Sequence, residues 1–222
     1  GVGVFLAVRA GTQAMGLHAF EWAWIFIGAA AVFDFCDGLS ARLLGAYSPM
    51  GKELDSLSDL VSFGLAPAFL VMNAMIDAGA PLGLSFIALF IALMGALRLA
   101  KFNVDTRQAT SFIGLPIPAN ALFWIGTMGW ISEHGYPGDI VMAVLIIGVS
   151  LLMVSELKMF SLKFKDMAFK GNVRRYMVLA ACVFFIATDG VAGFAWTIIL
   201  YILISLLGKR TDPDNFEDGL QA

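Results

Sequence analysis

The chain has 222 residues, of which 59% are hydrophobic and only 14% charged, with a mean hydropathy of +0.84 and a formal net charge of −3. Soluble domains carry about 25% charged residues, so this composition excludes a soluble globular protein and points to an integral membrane one. With two cysteines, Cys36 and Cys182, the sequence suggests neither a disulfide framework nor a thiolate metal site, and both are expected as small buried hydrophobes within helices.

Crossing a bilayer takes about 20 mostly apolar residues per helix, and such runs recur along the chain. The opening GVGVFLAVRAG is too short to span and reads as the end of a first helix. Further helices are predicted near 21–46, 54–77, 83–101, 117–132, 138–157, 173–188 and 191–208. The expected fold is therefore all-α, a polytopic membrane bundle of about eight helices with the first one truncated. Residues 1–208 form a single membrane domain, and the polar stretch KRTDPDNFEDGLQA at 209–222 forms a tail.

In this layout 13 of the 14 basic residues lie at connections on one side, from Arg42 and Lys52 to Lys209 and Arg210, and Arg9 lies on the other. By the positive-inside rule that side, with both termini, faces the cytoplasm, which places the protein in the cytoplasmic membrane. His18 and His134 fall on the far side and read as plain loop residues. The basic residues Lys158, Lys163, Lys165, Lys170, Arg174 and Arg175 alternate with Met159, Phe160, Phe164 and Phe169. That mixture suits an interfacial segment drawn to anionic headgroups, although topology signalling accounts for the same cations.

One stretch breaks the apolar pattern, DFCDGLSARLLGAYSPMGKELDSLSD at 34–59. On a helix Asp34 and Asp37, at i and i+3, share a face, as do Asp55 and Asp59 at i and i+4. Gly45, Pro49 and Gly51 allow the chain to break and turn between them, so two carboxylate pairs can converge across a helical hairpin. Four ionised carboxylates at membrane depth cost several kcal/mol per uncompensated ion. Two divalent cations would offset all four charges. An all-oxygen donor set favours Mg²⁺ or Mn²⁺, and such a pair suits phosphoryl chemistry.

The residues between the aspartates fit that use. Asp34, Gly38, Ala41, Arg42 and Gly45 fall on one helical stripe, where small residues admit a bulky ligand and the Arg42 fork suits a phosphate. The stripe reads as a nucleotide or diphosphate seat, with close helix packing as the alternative use of the small residues.

Asp34, Asp37, Gly38, Ala41, Arg42, Gly51, Asp55 and Asp59 fit the pattern D-x2-D-G-x2-A-R-x8-G-x3-D-x3-D without a gap. That pattern resembles the signature of the CDP-alcohol phosphatidyltransferases. The resemblance implies a core of six membrane helices, usually a homodimer, and transfer of a phosphatidyl group from a CDP-linked lipid to an alcohol with release of CMP. The segments GKELDSLSDLVSFGLAPAF (51–69), LRLAKFNV (97–104) and FIGLPIPA (112–119) look like the serine-using branch of that family. The implied substrates are then CDP-diacylglycerol and L-serine, the product phosphatidylserine, and the setting the lipid bilayer; no nucleic acid is implied.

By the same resemblance Asp34, Asp37, Asp55 and Asp59 would hold two Mg²⁺ or Mn²⁺ ions, and Asp59 would also serve as general base. Asp34, Asp37, Gly38, Ala41, Arg42, Gly51 and Asp55 would hold the CDP-lipid. For the zwitterionic serine, Arg98, Lys101 and Asn103 are the candidates, where the fourth helix of the eight reaches the cytoplasmic surface; positive-inside anchoring accounts equally for the two cations. The alternatives are a relative that uses glycerol 3-phosphate or inositol phosphate, and an ion-coupled transporter with intramembrane aspartates. The transporter explains the charge but not the intervals of Gly38, Ala41, Arg42 and Gly51.

Overall fold

The computed structural model describes residues 13–14, 17–45, 48–104, 112–160 and 169–208. A two-residue bridge of β1 (Gln13–Ala14) with β2 (Leu17–His18) precedes α1 (Ala19–Leu44), α2 (Pro49–Asp59), a π-helical segment at Leu60–Leu65, and α3 (Ala66–Asp77). There follow α4 (Leu82–Ser85), a 3-10 turn at Phe86–Ala88, α5 (Leu89–Val104), β3 (Phe112–Ile113), α6 (Ile117–His134) and α7 (Asp139–Val154). The described chain closes with β4 (Lys158–Met159), α8 (Phe169–Asp189), a 3-10 turn at Gly190–Ala192, and α9 (Gly193–Gly208).

The π segment joins α2 to α3 in one continuous rod, and the first 3-10 turn joins α4 to α5. Each predicted helix from 21 onward thus corresponds to an observed rod. The end of the expected first helix, the topology signals between 161 and 168, and the tail at 209–222 lie outside the described residues. Among the described residues four stretches are long and apolar enough to cross a membrane: Glu21–Ser40, Pro49–Asp77, Leu82–Val104 and Asn172–Leu207. The last of these holds two rods, because the chain turns at 190–192 and lays α9 against α8. The expectation of an all-helical membrane protein therefore holds among the described residues, apart from two small antiparallel bridges, whereas the count of eight is not reached there.

Local sequence explains where the second rod begins. Ser48 has extended backbone and its hydroxyl accepts the Gly51 N–H at 3.0 Å, with Pro49 at the first helical position. This serine cap followed by proline starts a helix, since the proline ring is preset for the first turn and its missing N–H would have been unpaired there anyway. The helix therefore starts five residues earlier than predicted, and Pro49 and Gly51 do not break the chain. The turn falls at Gly45, whose φ of +62° lies in the left-handed region that a Cβ disfavours.

Pro67 has a further effect. Lacking an N–H, it cannot bond back to Phe63, and upstream of it the ladder shifts to i→i−5, with the Ala66 N–H reaching the Val61 carbonyl. Phe63 and Gly64 of this wider turn are buried against α5 and α6.

The interior is filled by Phe63, Met75, Ile91, Trp124, Met142, Ile146 and Met153. Close helix contacts depend on small residues: a Cβ on Gly95 would stand 2.9 Å from Cδ1 of Ile117, and one on Gly126 would fall on the backbone of Ala195. The outer faces are oily. Phe33, Leu43, Ile140 and Val183 are each more than 60% exposed, which suits a surface that lipid rather than water surrounds. Both cysteines lie toward that outer surface, Cys36 exposed and Cys182 half-buried, so the expectation that they are buried is corrected. Because the bilayer itself takes up apolar side chains, an apolar residue here does not have to be interior.

Candidate active site

Asp34 is carried by α1, and Asp55 and Asp59 by successive turns of α2. Their carboxylates meet across the hairpin, with one oxygen from each lying within 4.8 Å of the others. Asp34 and Asp59 are half-buried and Asp55 is exposed, so the group opens to solvent on the Asp55 side. Asp37, one turn after Asp34, is exposed and stands outside this group, although its charge still acts on Asp55 and Asp59. Three carboxylates so close repel one another when ionised, and positive charge among them relieves that repulsion. The donors are all carboxylate oxygens, a set that fits a hard divalent cation rather than zinc or copper.

The rest of the expected CDP-lipid seat lies around this group. Gly38 is half-buried one turn beyond Asp34, while Gly51 is exposed in the first turn of α2 with its N–H held by Ser48. The backbone of Ala41 and Arg42 continues α1, but their side chains lie outside the described residues. Gly45 has left the helix at its left-handed turn and so does not extend the stripe.

Of the three residues expected to bind serine, Arg98 is held inside the bundle, 4% exposed. Its Nε donates to the Leu115 carbonyl at 3.4 Å, and its guanidinium lies 5.4 Å from the centre of the Phe102 ring. Tyr201 of α9, whose hydroxyl donates to the Phe160 carbonyl at 2.9 Å, lies near enough to interact with it electrostatically. Lys101 turns the other way. Its ammonium donates to the Val154 carbonyl at the end of α7 at 3.0 Å and lies 3.5 Å from Glu156. Asn103 reaches α2, where its amide Nδ2 donates to the Ser56 hydroxyl at 3.0 Å.

The sequence reading missed Ser48 and Ser56. The first had a signal, a serine directly before a proline and an amphipathic turn. The second had none, because its partner is 47 residues away.

Residues 2–155 match the CDP-alcohol phosphatidyltransferase family, a stretch that contains the aspartate hairpin and α1 to α7. The chain belongs to that family. Within the family it is similar to the CDP-diacylglycerol–serine O-phosphatidyltransferase of Methanocaldococcus jannaschii, 39% identical over 153 residues that cover 69% of each chain. It is also similar to the enzyme of the same name from Bacillus subtilis, 36% identical over 157 residues, 71% of this chain and 85% of that one. The archaetidylserine synthase of Methanothermobacter thermautotrophicus is 38% identical over 135 residues, 58% of this chain and 54% of that protein.

Proposed function

We propose that this phosphatidyltransferase moves the phosphatidyl group of CDP-diacylglycerol to the hydroxyl of L-serine, releasing CMP and forming phosphatidylserine. The observation that carries the reading is the convergence of Asp34, Asp55 and Asp59 from two helices, within a motif of this family and beside relatives named for serine transfer.

In this reading the serine oxygen attacks the phosphorus next to the diacylglycerol, a new P–O bond forms, and the bond to CMP breaks. Asp59 takes the hydroxyl proton. It suits that role because it lies half-buried on the second turn of the pair, at the inner side of the carboxylate group. Asp34, Asp37, Asp55 and Asp59 would hold Mg²⁺ or Mn²⁺, two ions in all. Bound there, the cations would neutralise phosphate oxygens and the charge that develops on departing CMP. Gly38, Ala41, Arg42 and Gly51, with Asp34, Asp37 and Asp55, frame the CDP portion.

Serine needs a cation for its carboxylate. Arg98 fits best, because a guanidinium held away from bulk water binds a carboxylate more strongly and offers a planar fork. Lys101 and Asn103 lie at the same end of α5, with Lys101 engaged by Val154 and Glu156 and Asn103 by Ser56. A phosphorylated acceptor would call for denser positive charge. Here Lys101 acts on Val154 and Glu156 and Lys52 on the Asn103 carbonyl.

The proposal also places the aspartates and both termini on the cytoplasmic side and pairs two copies as a homodimer. Purified protein supplied with CDP-diacylglycerol and Mg²⁺ or Mn²⁺, and offered serine, glycerol 3-phosphate or inositol phosphate in turn, should release CMP with serine. Release with a phosphorylated acceptor alone would reassign the substrate, and no release with any of them would return the transporter to consideration.

A further inference from the structure

We propose that Asn103 is a positioning residue for the carboxylate group, fastening through Ser56 the helical turn that carries Asp55 and Asp59 and so setting how tightly that group holds a divalent cation. Its consequence for turnover rests on the transferase reading, but its consequence for cation binding does not.

Among the described residues little else holds α2. None of its residues is buried, and Leu54 and Leu57 are more than half exposed. Apolar burial, the usual source of helix docking, therefore does little to fix its rotation or tilt. Its C-terminal end runs into the π segment, which is anchored in the core, while its N-terminal end follows the turn at Gly45. Left to itself, such a helix would swing so as to separate Asp55 and Asp59 from Asp34, since the three anionic groups repel one another.

Two hydrogen bonds to α5 oppose that motion, and a third within α2 links them. The Asn103 amide donates to the Ser56 hydroxyl at 3.0 Å. The Ser56 hydroxyl in turn donates to the Lys52 carbonyl at 3.1 Å, and the Lys52 ammonium donates to the Asn103 carbonyl at 3.1 Å. The ring of contacts closes on itself. Asn103 is held by both its side chain and its backbone, and its carbonyl lies in the last turn of α5, where helix carbonyls lack internal partners and cations are favoured. Ser56 adjoins Asp55 and stands one turn before Asp59, so a fixed Ser56 fixes both carboxylates relative to α5. The same amide is already engaged with Ser56, which favours this role for Asn103 over direct contact with serine.

The test uses the full chain in lipid nanodiscs, with Mn²⁺ binding followed by the electron paramagnetic resonance signal of free Mn²⁺ in the absence of substrates. Asn103→Ala and Ser56→Ala should each weaken Mn²⁺ binding roughly three- to tenfold, the net worth of one hydrogen bond. The double variant should be no weaker than either single one, because both remove the same contact. Ser56→Thr, which keeps the hydroxyl, should restore binding. In CMP release the Mn²⁺ requirement should rise by the same factor with the apparent KM for serine unchanged.

Unaltered Mn²⁺ binding in both alanine variants, additive losses, or a raised serine KM at saturating Mn²⁺ would overturn the proposal. Should Asn103→Ala not fold, Ser56→Ala, a small change to the half-buried other partner, decides the matter by itself. Weakened Mn²⁺ binding in a protein whose wild type releases no CMP would support the positioning role and overturn only the transferase reading.

Discussion

Asp34 and Asp59 stand on different helices, yet a carboxylate oxygen of each lies within 4.8 Å of the other, with Asp55 completing the group. That proximity ties α1 to α2 in function, because neither helix alone supplies the donors for a cation. Asp59→Asn should reduce CMP release by about 10²–10⁴-fold, the usual worth of a general base, while CDP-diacylglycerol binding survives. Asp34→Asn should impair both. Turnover assays paired with a CDP-lipid binding titration check this, and near-normal turnover of Asp59→Asn would remove the base assignment.

Chelation should silence the enzyme. An all-carboxylate site holds hard cations and holds them reversibly, so excess EDTA should abolish CMP release, and Mg²⁺ or Mn²⁺ added beyond the chelator should restore it. Activity that persists after exhaustive chelation and dialysis would contradict a cation held by Asp34, Asp55 and Asp59.

Arg98 is buried against Leu115 and Phe102, so its substitution separates charge from fork geometry. Arg98→Ala should raise the apparent serine KM by at least tenfold, with the requirement for CDP-diacylglycerol little changed. Arg98→Lys should recover only part of the loss, because a point charge cannot replace two parallel N–H donors. An unchanged serine KM in the alanine variant, measured in protein of normal thermal stability, would take Arg98 out of the pocket.

The bundle has positions where one added carbon is too many. A Cβ on Gly126 would fall on the Ala195 backbone, so Gly126→Leu should push α6 from α9 and lower the thermal midpoint, at a cost of about 1–3 kcal/mol or more. Gly114 combines a φ of +76° with a Cβ position on the Met153 carbonyl, and Gly114→Ala should be similarly harmful. Gly148 has open space around it, and Gly148→Ala should behave as wild type. Thermal unfolding of the purified protein in one detergent compares all three.

Much of this was legible in the chain itself. The helix positions followed from apolar runs of bilayer length, and the aspartates from their spacing on helices of 3.6 residues per turn. Errors fell where a single residue acts in two ways. Pro49 by itself suggests a break, yet it starts a helix, because the hydroxyl of Ser48 and the ring of Pro49 together satisfy the first turn. The apolar character of the two cysteines suggests the interior, but the membrane makes the outside an apolar place too.

What the sequence determined alone is the local and periodic part: a helical membrane chain, a hairpin rich in carboxylates, and a family. Those features rest on residues close together in the chain, whose geometry a helix fixes by itself. The tertiary structure decided which carboxylates meet, drawing Asp34 to Asp55 and Asp59 and leaving Asp37 outside that group. It also decided that Arg98 lies inside, that Lys101 turns to α7, and that Asn103 grips Ser56 across 47 residues. Those outcomes depend on how helices tilt and rotate against one another, which is set by the sum of many distant packing contacts and leaves no local signature.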